Sequence, residues 1–283
     1  MTQFVCLSGM PRSGSTLLSS LLSQNPMIHA EGNSAVCQLI WDMTMSCTYN
    51  VNEQLKSNHR QETMRDLIVQ IPNTYYKNVP NGTKCIVDKC RSWTKSSNVE
   101  LLQKYIDPTI KIIVMERSVT AVVESFYNLF KKNDWRDEII HRCLNEMLEP
   151  GTEPIMNSLN GIKMAHEADA NANANANANA NANANANANA NANANANFLF
   201  IHYDELVDHP EETIKRIYTF CEWGEPFIHS FTNVVNKYPE DDNYYNIKGF
   251  HTIRPMVKRE INKYTLPSDI LARCKEIDQE FLQ

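Results

Sequence analysis

A chain of 283 residues, 42% of them hydrophobic, is long enough to bury the core of one α/β domain, or of a domain with an insertion. With 27 basic against 33 acidic residues its net charge is −6, so no whole-molecule positive field draws in nucleic acid, and a polyanionic ligand has to meet a local basic cluster. The eight cysteines include no C-x-x-C pair and no histidine at metal spacing, which argues against a zinc site and a disulfide framework and suits a reducing compartment.

In chain order, the apolar run at residues 4–7 predicts a strand, and leucines at helical spacing predict a helix from about 15 to 23. Between them lies Gly9-Met-Pro-Arg-Ser-Gly-Ser-Thr16. Strand, glycine turn and helix in that order aim backbone N–H groups and a helix N-terminus at one spot, which makes an anion site. A triphosphate-binding loop places a lysine after its second glycine; here Ser15 stands there. The loop therefore suits a smaller group, a 5'-phosphate or phosphosulfate, with Arg12 supplying positive charge.

Further strands are predicted at 85–87, 110–115 and 198–201, and helices at 34–45, 61–75, 97–105, 119–131, 135–148, 153–168, 210–222 and 268–281. Pro210 followed by Glu211 and Glu212 is a favourable first helical turn. Residues 233–263, rich in Tyr, Asn, Asp and Lys, read as a long loop over the active face. Ala and Asn alternate from 170 to 197, with opposed helix preferences and nothing large enough to pack. That tract reads as a low-complexity insertion, disordered or a weak helix extension, in a single domain spanning 1–283. Short apolar strands alternating with helices predict a parallel sheet with helices on both faces. No apolar stretch approaches membrane-spanning length, and a strand starting near residue 3 leaves no room for a signal sequence. The chain is expected to be soluble and cytoplasmic.

In such sheets ligands bind beyond the carboxyl ends of the strands. The second predicted strand is followed by Asp88 and Lys89, the third by Glu116 and Arg117, with Ser125 about two turns along the next helix. A guanidinium and a hydroxyl so spaced suit a second phosphate. Together Arg12, Lys89 and Arg117 build a positive pocket on an acidic protein. Trp41, Trp93, Trp135, Tyr75 and Tyr76 are candidates for a sugar-stacking cleft, or for ordinary core packing.

These residues carry a family resemblance. Pro11-Arg-Ser-Gly-Ser-Thr16 with Leu17 and Leu18 resembles the 5'-phosphosulfate loop of sulfotransferases that use 3'-phosphoadenosine-5'-phosphosulfate (PAPS), closest to the tyrosylprotein and carbohydrate branches. Ile113-Val-Met-Glu-Arg117 with Ser125 is similar to their 3'-phosphate motif, and Tyr203 with His209-Pro210-Glu211 to the segment whose tyrosine lies against the nucleotide. The resemblance implies a three-layer α/β/α fold of the P-loop type. It implies Arg12, Ser13, Gly14, Ser15, Thr16, Arg117, Ser125, Tyr203 and the late Lys263 as donor-binding residues. It implies Glu31, Lys89 and Arg12 as catalytic, with Glu31, or else His29, as the base. The basic residue expected after the Arg/Ser pair falls at Lys131 or Lys132, and His251 or Thr252 stands in for a serine near the sulfate. The implied reaction transfers a sulfuryl group from PAPS to a hydroxyl acceptor, a carbohydrate, small molecule or peptide, with no metal, nucleic acid or membrane partner. Two alternatives remain on sequence grounds. One is a kinase-like phosphotransferase with Thr16 and Asp88 on magnesium; the other is a non-catalytic nucleotide-binding module.

Overall fold

Alternation along each strand decides which side chains go to which face, and here both faces are apolar. In β1 (Gln3–Gly9), Cys6 joins one core while Val5 and Leu7 join the other. In β4 (Lys111–Glu116), Ile112 and Val114 point one way, Ile113 and Met115 the other. Strands buried on both faces need helices on both sides, which is why their apolar runs are continuous.

The computed structural model describes residues 2–182, 197–259 and 262–281. With β2 (Ile28–Asn33), β3 (Cys85–Lys89) and β5 (Phe198–His202), the strands form one parallel sheet in the order β2-β3-β1-β4-β5. One face is covered by α1 (Ser15–Leu22) and α10 (Pro210–Cys221), through Leu18, Leu21, Ile214 and Ile217. The other holds the larger core. Into it pack α2 (Val36–Met45), α4 (Thr63–Tyr75), α6 (Val119–Lys132), α7 (Asp137–Met147), α8 (Met156–Ala182) and α11 (Ser268–Phe281). Each fully buried Leu or Ile contributes about 1.5–3 kcal/mol, so these two layers hold the sheet. The helices α3 (Asn52–Ser57), α5 (Ser96–Leu101) and α9 (Tyr203–Asp208) are short, with six residues each.

The fold is thus the three-layer α/β/α arrangement expected. One strand, β2, has no counterpart in the sequence reading: its outer half, Glu31-Gly32-Asn33, is polar, and its pairing with β3 slips between Ala30 and Asn33. Helix α8 enters the Ala/Asn tract and runs to Ala182; the tract's residues 183–196 lie outside the described residues.

Topology fixes the site. The chain leaves central β1 towards β2 and β3 on one side, then crosses to β4 and β5 on the other. The turn after β1 sits at that switch point, where open parallel sheets bind ligands. Pairing of Leu7 with Lys89, Gly9 with Met115 and Glu116 with His202 sets the strand ends level along one edge.

Candidate active site

The loop after β1 is built by close backbone approaches. Gly9 has φ +145, and a Cβ there would lie 2.5 Å from the Met115 carbonyl oxygen. Gly14, with φ +94, caps α1, and a Cβ on it would meet the Tyr203 ring at 2.7 Å. Ser13 turns inward, its hydroxyl donating to the Met10 carbonyl at 2.7 Å, so it shapes the turn rather than facing the cavity. Ser15 and Thr16 open α1, and the first-turn N–H groups of a helix have no partner within it. They face a cavity of about 560 Å³.

Arg12 and Arg117 interlock across that cavity. Arg117 donates to the Arg12 carbonyl at 2.7 Å and lies 4.1 Å over the Tyr203 ring. Arg12 donates from Nε to the Ser125 hydroxyl at 3.0 Å and also to the Phe250 carbonyl. Ser125 is carried by α6, whose N-terminus is doubly capped. Ser118 accepts from the Ala121 N–H, and Asp278 of α11 accepts from the N–H groups of Val119 and Thr120. Tyr203 opens α9 directly after β5. Loop, Arg117, Ser125 and Tyr203 therefore line one cavity, the first three brought there as their places after the strands suggest, and Tyr203 as the family resemblance implies.

Lys89 ends β3 on the other side of the loop. Its ammonium donates to the Thr16 hydroxyl at 3.2 Å and pairs with Glu240 at 3.3 Å. Burial pushes the Lys89 ammonium down, against the pull of Glu240. Burial alone would raise Glu240, but Lys89, His251 and the Asn33 N–H outweigh it and hold the carboxyl below its usual range. His251 continues the chain of charges, with Nε2 3.2 Å from Glu240 and Nδ1 2.9 Å from Asp242. Burial, aided by the Lys89 charge, holds the His251 imidazole below its usual value against the pull of the two carboxylates. Periodicity gave no sign of Glu240, which lies in an irregular segment 151 positions from Lys89. The described residues of that segment, 233–263, do line the cavity, supplying Tyr245 and residues 248–254 to its wall.

Asp88 has a structural place. It is wholly buried, accepting from Ser34 at 2.6 Å, Tyr76 at 2.8 Å and the Trp93 indole at 2.7 Å. Burial raises its carboxyl while those three donors oppose the rise. With its oxygens so committed, Asp88 is not placed to hold magnesium beside Thr16. Glu31 pairs with His29 at 2.9 Å, and neither is among the residues lining the cavity. Lys263 is also off that wall, its backbone N–H held by Asn128 of α6. Lys131 pairs with Asp137, whereas Lys132 lines the cavity. Of the aromatic candidates, Trp93 and Tyr76 are core and Trp135 stacks on Phe130 at 4.5 Å; the rings on the wall are Tyr203, Tyr245 and Phe250. No helix among the described residues is long and apolar enough to cross a membrane.

A parallel sheet whose switch-point loop has serine in place of the triphosphate lysine, faced by cations from neighbouring strand ends, gives a three-layer α/β fold with a basic cavity at the strand ends. The family model described as "Sulfotransferase family" matches residues 5–226, and the chain belongs to that family, whose members transfer sulfate. Among solved structures, the chain is similar to the sulfotransferase domain of the Synechococcus PCC 7002 olefin synthase. Identity is 16% and the TM-score 0.50, over 100% of this chain and 95% of that one. The sulfotransferase domain from the curacin biosynthetic pathway matches at 14% identity and a TM-score of 0.47, over 98% and 97%. No curated protein sequence matches the chain.

Proposed function

We propose that this protein is a PAPS-dependent sulfotransferase acting on a hydroxyl acceptor. The observation that carries the reading is the convergence of Arg12, Lys89 and Arg117 on one cavity around a loop that has serine where triphosphate binding calls for lysine. The donor fits the residues present. Loop N–H groups with Thr16 and Lys89 suit the phosphosulfate, Arg117 with Ser125 the 3'-phosphate, and Tyr203 the nucleotide.

PAPS supplies an activated sulfuryl group whose leaving oxygen belongs to the 5'-phosphate. As the acceptor oxygen bonds to sulfur, the bond from sulfur to that phosphate oxygen breaks, and the electron pair leaves on 3'-phosphoadenosine-5'-phosphate. Lys89 and Arg12 hold positive charge where that negative charge grows, a preorganised effect worth roughly 3 kcal/mol per donor in comparable anion holes. The acceptor's proton needs a base on the cavity wall. His251 stands there beside the Lys89–Glu240 pair, its Nδ1 fixed by Asp242, and Nε2 takes the proton once the acceptor displaces Glu240 from it. Glu31 is the base the family resemblance implied; its pairing with His29 off the wall favours His251.

Calorimetry with 3'-phosphoadenosine-5'-phosphate, followed by turnover of labelled PAPS with a panel of hydroxyl compounds, tests this. Binding of the bisphosphate undisturbed by ATP and magnesium is expected. Preferred binding of ATP with magnesium would replace the reading with a phosphotransferase, and binding without turnover would leave a nucleotide-binding module.

A further inference from the structure

The cavity holds more positive charge than the donor uses. Among the described residues its wall carries eight arginine and lysine side chains and one carboxylate, Glu153, in a chain of net charge −6. The donor-binding set takes Arg12 and Arg117, around the loop and the β4 end, with Lys89 at the β3 end. Arg91 is outside that set. Two residues past Lys89, it lines the cavity with Asn33, Ser34 and Ser92 from the β2 and β3 ends, and with Tyr245.

Arg91 is half-buried, and its guanidinium has no hydrogen bond or ion pair among the described residues. Its charge also disfavours that of neighbouring Lys89, adding to the burial that already pushes that ammonium down. A half-buried cation set beside another cation is electrostatically costly until a ligand neutralises it. A guanidinium offers a planar fork of donors suited to phosphate, sulfate or carboxylate oxygens. Resting on the sulfotransferase reading, we infer that the acceptor itself carries an oxyanion, and that Arg91 grips this group so that the acceptor hydroxyl faces Lys89 and His251. The substrate class is then anionic hydroxyl compounds rather than neutral sugars or phenols. Arg91 is the residue that sets this specificity.

The test is titration of inorganic phosphate, and separately of acetate, into protein saturated with 3'-phosphoadenosine-5'-phosphate. Wild type, Arg91→Gln, Arg91→Lys and Lys89→Gln are compared. Arg91→Gln should weaken oxyanion binding about tenfold or more, and Arg91→Lys should restore part of it. Nucleotide affinity and the unfolding midpoint should stay at wild-type values in both. Preference for phosphate or for acetate then separates a phosphorylated from a carboxylated acceptor. Absence of binding to wild type, or a loss that follows Lys89→Gln and spares Arg91→Gln, overturns the proposal; the latter would mean that the ion merely fills the sulfuryl position. If the nucleotide fails to bind, the sulfotransferase reading falls. The same titration on the nucleotide-free protein then still reads the Arg91 site.

Discussion

At the residue scale, the proposed function makes Lys89 and His251 the side chains whose replacement separates binding from chemistry. Lys89→Met should cut turnover about 100-fold or more, while affinity for 3'-phosphoadenosine-5'-phosphate, measured by calorimetry, changes only a few-fold. His251→Ala should do the same, and Glu31→Gln should leave turnover near wild type. A reversed order would restore Glu31 as base. Because burial holds the His251 imidazole below its ordinary value, neutral His251 persists into mild acid. The acid limb of the kcat/KM profile should therefore lie below about 6.5, the unperturbed histidine value, and flatten in His251→Ala. The same shifts carry a stability consequence. Groups lowered in the folded state, His251 and Glu240, favour folding above their unfolded pKa values and lose that contribution as pH falls through the folded ones. Acidification should thus loosen the 240–251 segment from the strand ends.

At the element scale, α11 acts on the site at one remove. Its Asp278 caps α6, and α6 carries Ser125. Asp278→Ala removes the acceptor for two α6 N–H groups and for the Thr120 hydroxyl, and should cost about 1–2 kcal/mol in urea unfolding. The accompanying rise in nucleotide Kd should exceed that of any exposed α11 substitution. Elements of this kind were largely legible in the sequence. The long helices and the four apolar strands follow from periodicity, because packing on both faces of a parallel sheet forces continuous apolar runs. The strand that periodicity missed, β2, carries its apolar residues only in the inner half, and Glu31-Gly32-Asn33 imitates a turn. Most of the residues expected to bind a donor were legible because they lie just past an apolar strand or at helical spacing from one; Lys263, expected with them, is off the cavity wall. Glu240, Asp242 and the placement of His251 were not, since they come from a segment without periodicity whose path depends on tertiary contacts.

At the scale of the whole molecule, a net charge of −6 and a cavity wall lined with cations oppose one another. The outer field repels a polyanion until it is within about a Debye length, inside which the pocket attracts it. Rising salt should therefore weaken nucleotide binding, because the local pairs are screened, while the association rate changes less than in a uniformly basic protein. Filling the pocket relieves repulsion among the cations. Saturating nucleotide at about 100 times its Kd should stabilise the fold by about 2.7 kcal/mol, read as a raised unfolding midpoint in calorimetry.

A single ring makes the site indivisible. Tyr203 presses on Gly14 and lies under Arg117; on the proposed reading these belong to the cradles for the two ends of the donor, so neither end settles without fixing the tyrosine for both. A donor clipped of its ribose phosphate should then be handicapped at the distant sulfur as well, turning over slowly even at saturation. The two grips would behave as one latch.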